Sequence, residues 1–144
     1  MNASPYPCLW FDSKAQEAAA YYCAVFPNSR IISSNPMAVV MEFNGSTFMA
    51  LNGGPQNAFT EAVSFVVTCN TQDEIDHYWN ILTQDGGTEG RCGWLKDKYG
   101  VSWQIVPAIL GQLMGDPTKA PKAMYAFMQM NKFDIAKLLE ATAV

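Results

Sequence analysis

Gly90-Arg-Cys-Gly-Trp-Leu-Lys-Asp-Lys-Tyr-Gly-Val-Ser-Trp-Gln-Ile-Val-Pro107 is the stretch whose reading decides the fold. It reads as a loop, a polar hairpin turn at Lys96-Asp97-Lys98-Tyr99-Gly100, and a strand over Val101 to Val106 that Pro107 ends. Phe43 to Leu51 follows the same plan. There Asn44-Gly45 is a strong hairpin signal, so Ala38 to Phe43 and Thr47 to Leu51 are expected to pair antiparallel. The two hairpin glycines, Gly45 and Gly100, stand 55 residues apart.

Working outward, each hairpin is preceded by a strand and a helix. Cys8 to Phe11 is an apolar strand candidate, and Asp12 or Ser13 can cap a helix over Ser13–Phe26. Ala15, Ala18, Ala19, Tyr22 and Phe26 recur at helical spacing along that helix. Arg30 to Ser33 is a weaker strand candidate. In the second half, Val63 to Thr68 is the strand, and Asn70 or Thr71 caps a helix over Thr71–Gln84. Its apolar residues Ile75, Tyr78, Trp79 and Leu82 share one face. The repeated order of elements marks an internal duplication. A single domain spanning 1–144 is expected, with module 1 at about 5–55, module 2 at about 60–107 and a helical tail at 108–144. In that tail Pro121 opens a helix carrying Met124, Phe127 and Met128, and a second helix carries Phe133, Ile135, Leu138 and Leu139. The methionines read as core filler or as a subunit contact.

Composition removes several function classes. Hydrophobic residues make up 49% of the 144 and charged residues 15%, a globular balance. A net charge of −4 without a basic run argues against a nucleic-acid partner or an acidic membrane surface. Met1 to Pro7 has neither a basic nor an apolar leader pattern, and no apolar run approaches a membrane span. A cytoplasmic protein is therefore expected, with Cys8, Cys23, Cys69 and Cys92 reduced and buried.

Strand parity separates two faces. Leu9, Phe11, Phe65 and Trp103 are expected in a core shared with Tyr22 and Trp79 on the helices. The opposite parity holds Cys8, Trp10, Thr47, Met49, Ser64, Ser102 and Gln104. That mixture suits either the wall of a cleft or a half-solvated sheet. Glu42, in an apolar strand, reads either as a buried acid or as an outward carboxylate on an edge strand. Cys8 reads as a nucleophile or as a structural thiol. His77 lies beside the apolar stripe of its helix and reads as a surface imidazole.

Certain strings carry a family resemblance. Cys8-Leu-Trp-Phe-Asp12, Phe26-Pro-Asn-Ser29, Phe48-Met-Ala-Leu-Asn52, Cys92-Gly-Trp-Leu-Lys-Asp97 and Tyr99-Gly-Val-Ser-Trp-Gln-Ile-Val-Pro107 resemble the PhnB-like, or 3-demethylubiquinone-9 3-methyltransferase-like, family. That family belongs to the vicinal oxygen chelate superfamily of glyoxalase I, bleomycin-resistance proteins and extradiol dioxygenases. The resemblance implies an α+β fold of two tandem βαβββ modules. These would form an incomplete barrel around a cleft, with helices outside and C-terminal helices added. It also implies a homodimer. Metal-dependent members of the superfamily hold a divalent ion through His and Glu, two from each module. The matching positions here are Cys8, Met49, Ser64 and Gln104, a poor set for a hard ion, so neither a metal nor another cofactor is expected.

The function expected is binding of a small apolar or aromatic molecule in a cleft between the modules, by Cys8, Trp10, Met49, Ser64, Trp94, Ser102 and Gln104. The alternative is an enzyme of lyase, isomerase or transferase type with Glu42 or Cys8 reactive. The transferase form lacks a visible methyl-donor motif: Gly53-Gly54 precedes a proline and Gly86-Gly87 follows a helix, so neither is a glycine-rich turn between strand and helix.

Overall fold

The computed structural model describes residues 3–143, which divide into two compact units, one ending at Phe59 and the other beginning at Thr60. The first contains β1 (Cys8–Phe11), α1 (Ala15–Val25), β2 (Ser29–Ser34), β3 (Ala38–Phe43) and β4 (Ser46–Asn52). The second contains β5 (Phe65–Cys69), α2 (Gln72–Thr83), β6 (Thr88–Glu89), β7 (Trp94–Lys96) and β8 (Ser102–Pro107), then α3 (Ile109–Met114), α4 (Ala120–Phe127) and α5 (Ile135–Thr142). The sheet orders are β1-β4-β3-β2 and β5-β8-β7-β6. In both, the first strand runs parallel to the last and the others pair antiparallel. The duplication expected from the order of elements is thus a duplication of topology, and the α+β fold of two βαβββ modules stands.

Local chemistry explains the hairpins. Asn44 and Gly45 both take left-handed backbone, with φ of 47° and 91°, as a two-residue turn matched to strand twist requires. The second hairpin is closed by a side chain, with Asp97 Oδ1 accepting from the N–H groups of Tyr99 (2.9 Å) and Val101 (3.1 Å). The stretch before it, read as a polar loop, contains β6 and β7. These short strands pair through Thr88–Lys96 and Glu89–Leu95, too briefly for strand periodicity to appear in the sequence.

The two helices begin differently. At α2 the expected cap is present: the Thr71 hydroxyl accepts from the Glu74 N–H at 3.2 Å, and the Glu74 carboxylate accepts from the Asn70 N–H at 3.3 Å. At α1 neither Asp12 nor Ser13 is the cap. Ser13 itself is left-handed (φ 61°) and the N-cap position falls on Lys14, whose side chain makes no capping bond. The acceptor comes from β4, where Asn52 Oδ1 takes the Ala15 N–H at 2.8 Å. Its amide donates onward to Gln16 Oε1 and Pro36 O.

Each helix lies on one face of its own sheet, α1 on β2, β3 and β4, and α2 on β5, β7 and β8. The residues expected in the core are there, with one exception. Leu9, Phe11, Tyr22, Trp79 and Trp103 are buried, as are Met41, Ile75, Leu95 and Ile105. Phe65 is only half-buried, because β5 is an outer strand and its ring leans on Trp103 with centroids 5.5 Å apart. All four cysteines are free, but only Cys69 is buried. Cys8 is exposed because its strand is the outer one of its sheet.

The tail closes onto the second unit through backbone. Cys92 and Gly93 donate to Met130 O and Asn131 O, both at 2.8 Å, and Gln72 grips Phe133 O and the Ile135 N–H. Phe133 and Leu138 are buried while Met124, Tyr125 and Met128 are exposed, so the core-filler reading does not hold for those two methionines. No helix among the described residues is long and apolar enough to cross a membrane.

Candidate ligand-binding site

The candidate residues fall on the helix-free faces of the two sheets, as their parity requires. In the first unit, register sets Cys8 beside Met49 and Trp10 beside Leu51. Glu42 is opposite Thr47, on the same face. Cys8 and Met49 are therefore neighbours, with Glu42 two residues along the next strand from the Val40 that pairs with Met49. Glu42 is not on an edge strand, since β3 lies between β4 and β2. Its carboxylate lies 3.6 Å from Arg30 Nε, its partner on β2. Partial burial pushes the Cys8 thiol up, away from the reactive thiolate. Trp10 is committed locally: its indole N–H donates to Gly54 O at 2.9 Å, and its ring covers Gly53 so closely that a Cβ there would collide with it.

In the second unit, Ser64, Trp94, Ser102 and Gln104 share the helix-free face. Trp94 pairs with Gln104 and Lys96 with Ser102. Gln104 Nε2 donates to Ser64 Oγ at 3.0 Å. Beside them opens a groove of about 350 Å³ lined by Glu61, Thr88 to Arg91, Trp94 to Lys96, and Ser102. Ser102 is 1% exposed, and its hydroxyl has no hydrogen-bond partner among the described residues. Lys96 Nζ meets Glu61 Oε1 at 2.8 Å and holds that carboxyl below its usual range. Glu89 Oε1 accepts the Trp79 indole N–H at 2.9 Å. Among the described residues the Arg91 guanidinium makes one long bond, 3.5 Å, to Met128 O. A second groove, in the first unit, is lined by Ser4 to Pro7 and Gly45 to Phe48 and has no charged side chain.

The structure therefore brings Trp94 and Ser102 together in one groove, and keeps Ser64 and Gln104 bonded to each other beside it. Sequence reading missed the groove's charged lining. Lys96 was legible by parity with Trp94, once Trp94 to Lys96 is known to be a strand. Glu61 and Arg91 come from irregular segments, and no periodicity marks them.

The four positions matched to the superfamily's metal ligands do not fit a hard divalent ion. They offer a protonated thiol, a thioether, and a hydroxyl and amide that satisfy each other. Among the described residues no group of three or more His, Cys, Asp or Glu is placed to hold a metal. His77 is exposed on α2, against the ring of Tyr78.

Comparison with known proteins supports the same fold. The family model for 3-demethylubiquinone-9 3-methyltransferase matches residues 3–106. A PhnB protein from Bacillus cereus is 32% identical over 74% of this chain and 100% of its own, with a TM-score of 0.67. The fosfomycin resistance protein FosX from Listeria monocytogenes, solved with Mn(II) and sulfate, is 10% identical over 80% of this chain and 97% of its own (TM-score 0.59). A glyoxalase/bleomycin resistance protein from Albidiferax ferrireducens is 13% identical over 72% and 97% (TM-score 0.51). The last two show likeness of fold alone. No curated protein matches the sequence. With this topology, this family match and a PhnB relative at 32% identity, the chain belongs to the PhnB-like, 3-demethylubiquinone-9 3-methyltransferase family.

Proposed function

We propose that the chain binds a small apolar or aromatic molecule, without a metal, on the helix-free face of its second unit. One observation carries this reading: the half-buried Trp94 indole and the buried Ser102 hydroxyl line the same groove, large enough for a single-ring compound. An indole wall supplies stacking area at low conformational cost, and a buried hydroxyl supplies orientation. Gln104, held by Ser64, supports the pocket wall beside Trp94. The misfit of the donor set to a hard ion supports the metal-free part of the reading. Enzymatic action through Cys8 or Glu42 has less behind it, because the thiol is shifted away from ionisation and the carboxylate faces Arg30. The reading extends to a cytoplasmic homodimer. Four free cysteines favour a reducing compartment. The exposed Met124, Tyr125 and Met128 offer an apolar contact surface.

The test is tryptophan fluorescence and thermal shift with single-ring aromatic compounds on chelator-treated protein. Saturable binding that survives chelation and is lost in Trp94→Ala is the expected result. Binding that appears only after a divalent ion is restored would end the metal-free reading, and binding indifferent to Trp94→Ala would remove the groove.

A further inference from the structure

We infer that the groove of the second unit selects a small organic acid, binding its anionic head group through Arg91 and Ser102 while the apolar body lies on Trp94. The inference rests on the small-molecule reading above and adds the chemical class of the ligand. Four charged side chains line the groove, and they are not equally occupied. Glu61 is bound by Lys96 at 2.8 Å, and Glu89 accepts the Trp79 indole N–H at 2.9 Å, so both carboxylates already have partners within the protein's own side chains. The spare capacity is on the donor side. A guanidinium has five N–H donors in a fork matched to two-oxygen anions, and Arg91 uses one of them in a single bond at the limit of length.

The second, independent observation is Ser102. Its hydroxyl is wholly buried and has no partner among the described residues, although buried polar groups are paired in nearly all native structures. Register fixes its direction: Ser102 pairs with Lys96 on β7, so its side chain shares the face of Lys96 and Trp94, while Leu95 and Trp103 point to the helix. A buried hydroxyl without a partner and a guanidinium with spare donors line the same groove, and both can donate to a negatively charged acceptor. A carboxylate and a phosphate monoester share that chemistry. A neutral hydrocarbon ring offers neither donor an acceptor, and a cation offers none either.

Three probes of similar body separate the possibilities: phenylacetate, phenyl phosphate and neutral 2-phenylethanol, titrated by calorimetry and tryptophan fluorescence. Arg91→Gln alters an exposed side chain, and Ser102→Ala removes an unsatisfied buried group, so both variants are expected to keep the fold. The expected result is that one or both anions bind more tightly than 2-phenylethanol. Each variant then weakens the anion about tenfold, the usual effect of losing one hydrogen bond to a charged group, and weakens it more than it weakens 2-phenylethanol. Whichever anion binds more tightly identifies the head group as carboxylate or phosphate. Anions no tighter than 2-phenylethanol, or anion affinity indifferent to Arg91→Gln, overturn the inference and leave the small-molecule reading standing. If none of the three binds at millimolar concentration, both fall.

Discussion

Asp97 and Trp103 form the polar pin of the second unit: the Trp103 indole N–H donates to Asp97 Oδ2 at 2.8 Å, with Asp97 2% and Trp103 5% exposed. The other carboxylate oxygen takes the Tyr99 and Val101 N–H groups, so one aspartate both shapes the β7–β8 turn and anchors the large ring under the sheet. As a sequence element Asp97 reads as a turn residue. Burial makes it structural. Asp97→Ala leaves three donors without their acceptor, and a loss of about 2–4 kcal/mol is expected by urea denaturation. A loss under about 1 kcal/mol would mean that water replaces the carboxylate and that the pin is not energetic.

Gly93 sits under the tail. Its φ of 83° is left-handed, and a Cβ there would strike the Phe133 ring and approach Ile105 O to 2.9 Å. Gly93→Ala should therefore cost about 3 kcal/mol or more, combining backbone strain with overpacking. If Phe133 is what the methyl strikes, Phe133→Leu in the same chain should recover part of that loss. No recovery would assign the cost to the backbone.

The helix caps make a paired prediction. Thr71→Ala removes a local cap and should cost about 1 kcal/mol. Asn52→Ala removes the α1 cap together with the ties to Gln16 and Pro36, so it should cost more, about 2 kcal/mol. Equal effects in thermal denaturation would show that the remote cap adds nothing beyond a local one.

Cys69 gives a pH dependence. Burial, with Glu74 adding to it, pushes its thiol from the ordinary 9.0 up to about 11. Between those values the unfolded chain has lost the proton and the folded chain has kept it. Stability should accordingly fall as pH rises from about 9 toward 11. Cys69→Ala should flatten that part of the stability–pH curve, and an unchanged slope would assign it to other groups. Thiol labelling of the native protein should proceed first at exposed Cys8 and last at Cys69.

The dimer proposal is tested at α4. With Met124 and Tyr125 exposed on α4 and Met128 exposed at its C-cap, sedimentation at micromolar concentration should report a dimer. Met124→Asp with Met128→Asp should shift it to monomer without altering the circular dichroism. A monomeric wild type, or a dimer indifferent to both changes, would place the contact elsewhere or remove it.

Sequence alone determined what depends on near neighbours. Asn44-Gly45 can adopt the left-handed pair that a tight hairpin needs, Thr71 and Glu74 cap α2 from within one turn, and period-two alternation assigns Trp103 and Ile105 to the helix side. Repetition of those local signals disclosed the duplication and, with the Trp94 to Pro107 string, the family. Only the tertiary structure decided what depends on distant partners. Asn52 supplies the α1 cap from 37 residues away. Phe133 comes to rest on Gly93, and Glu61 meets Lys96 across a groove that neither residue's neighbours announce. The exposure of Cys8 and the half-burial of Phe65 follow from which strands lie outermost, a property of sheet order that parity does not encode. The physical reason is common to all of these. Backbone preference and alternation act over a few residues, whereas burial and side-chain pairing are set by whichever segments chain closure brings to the same point.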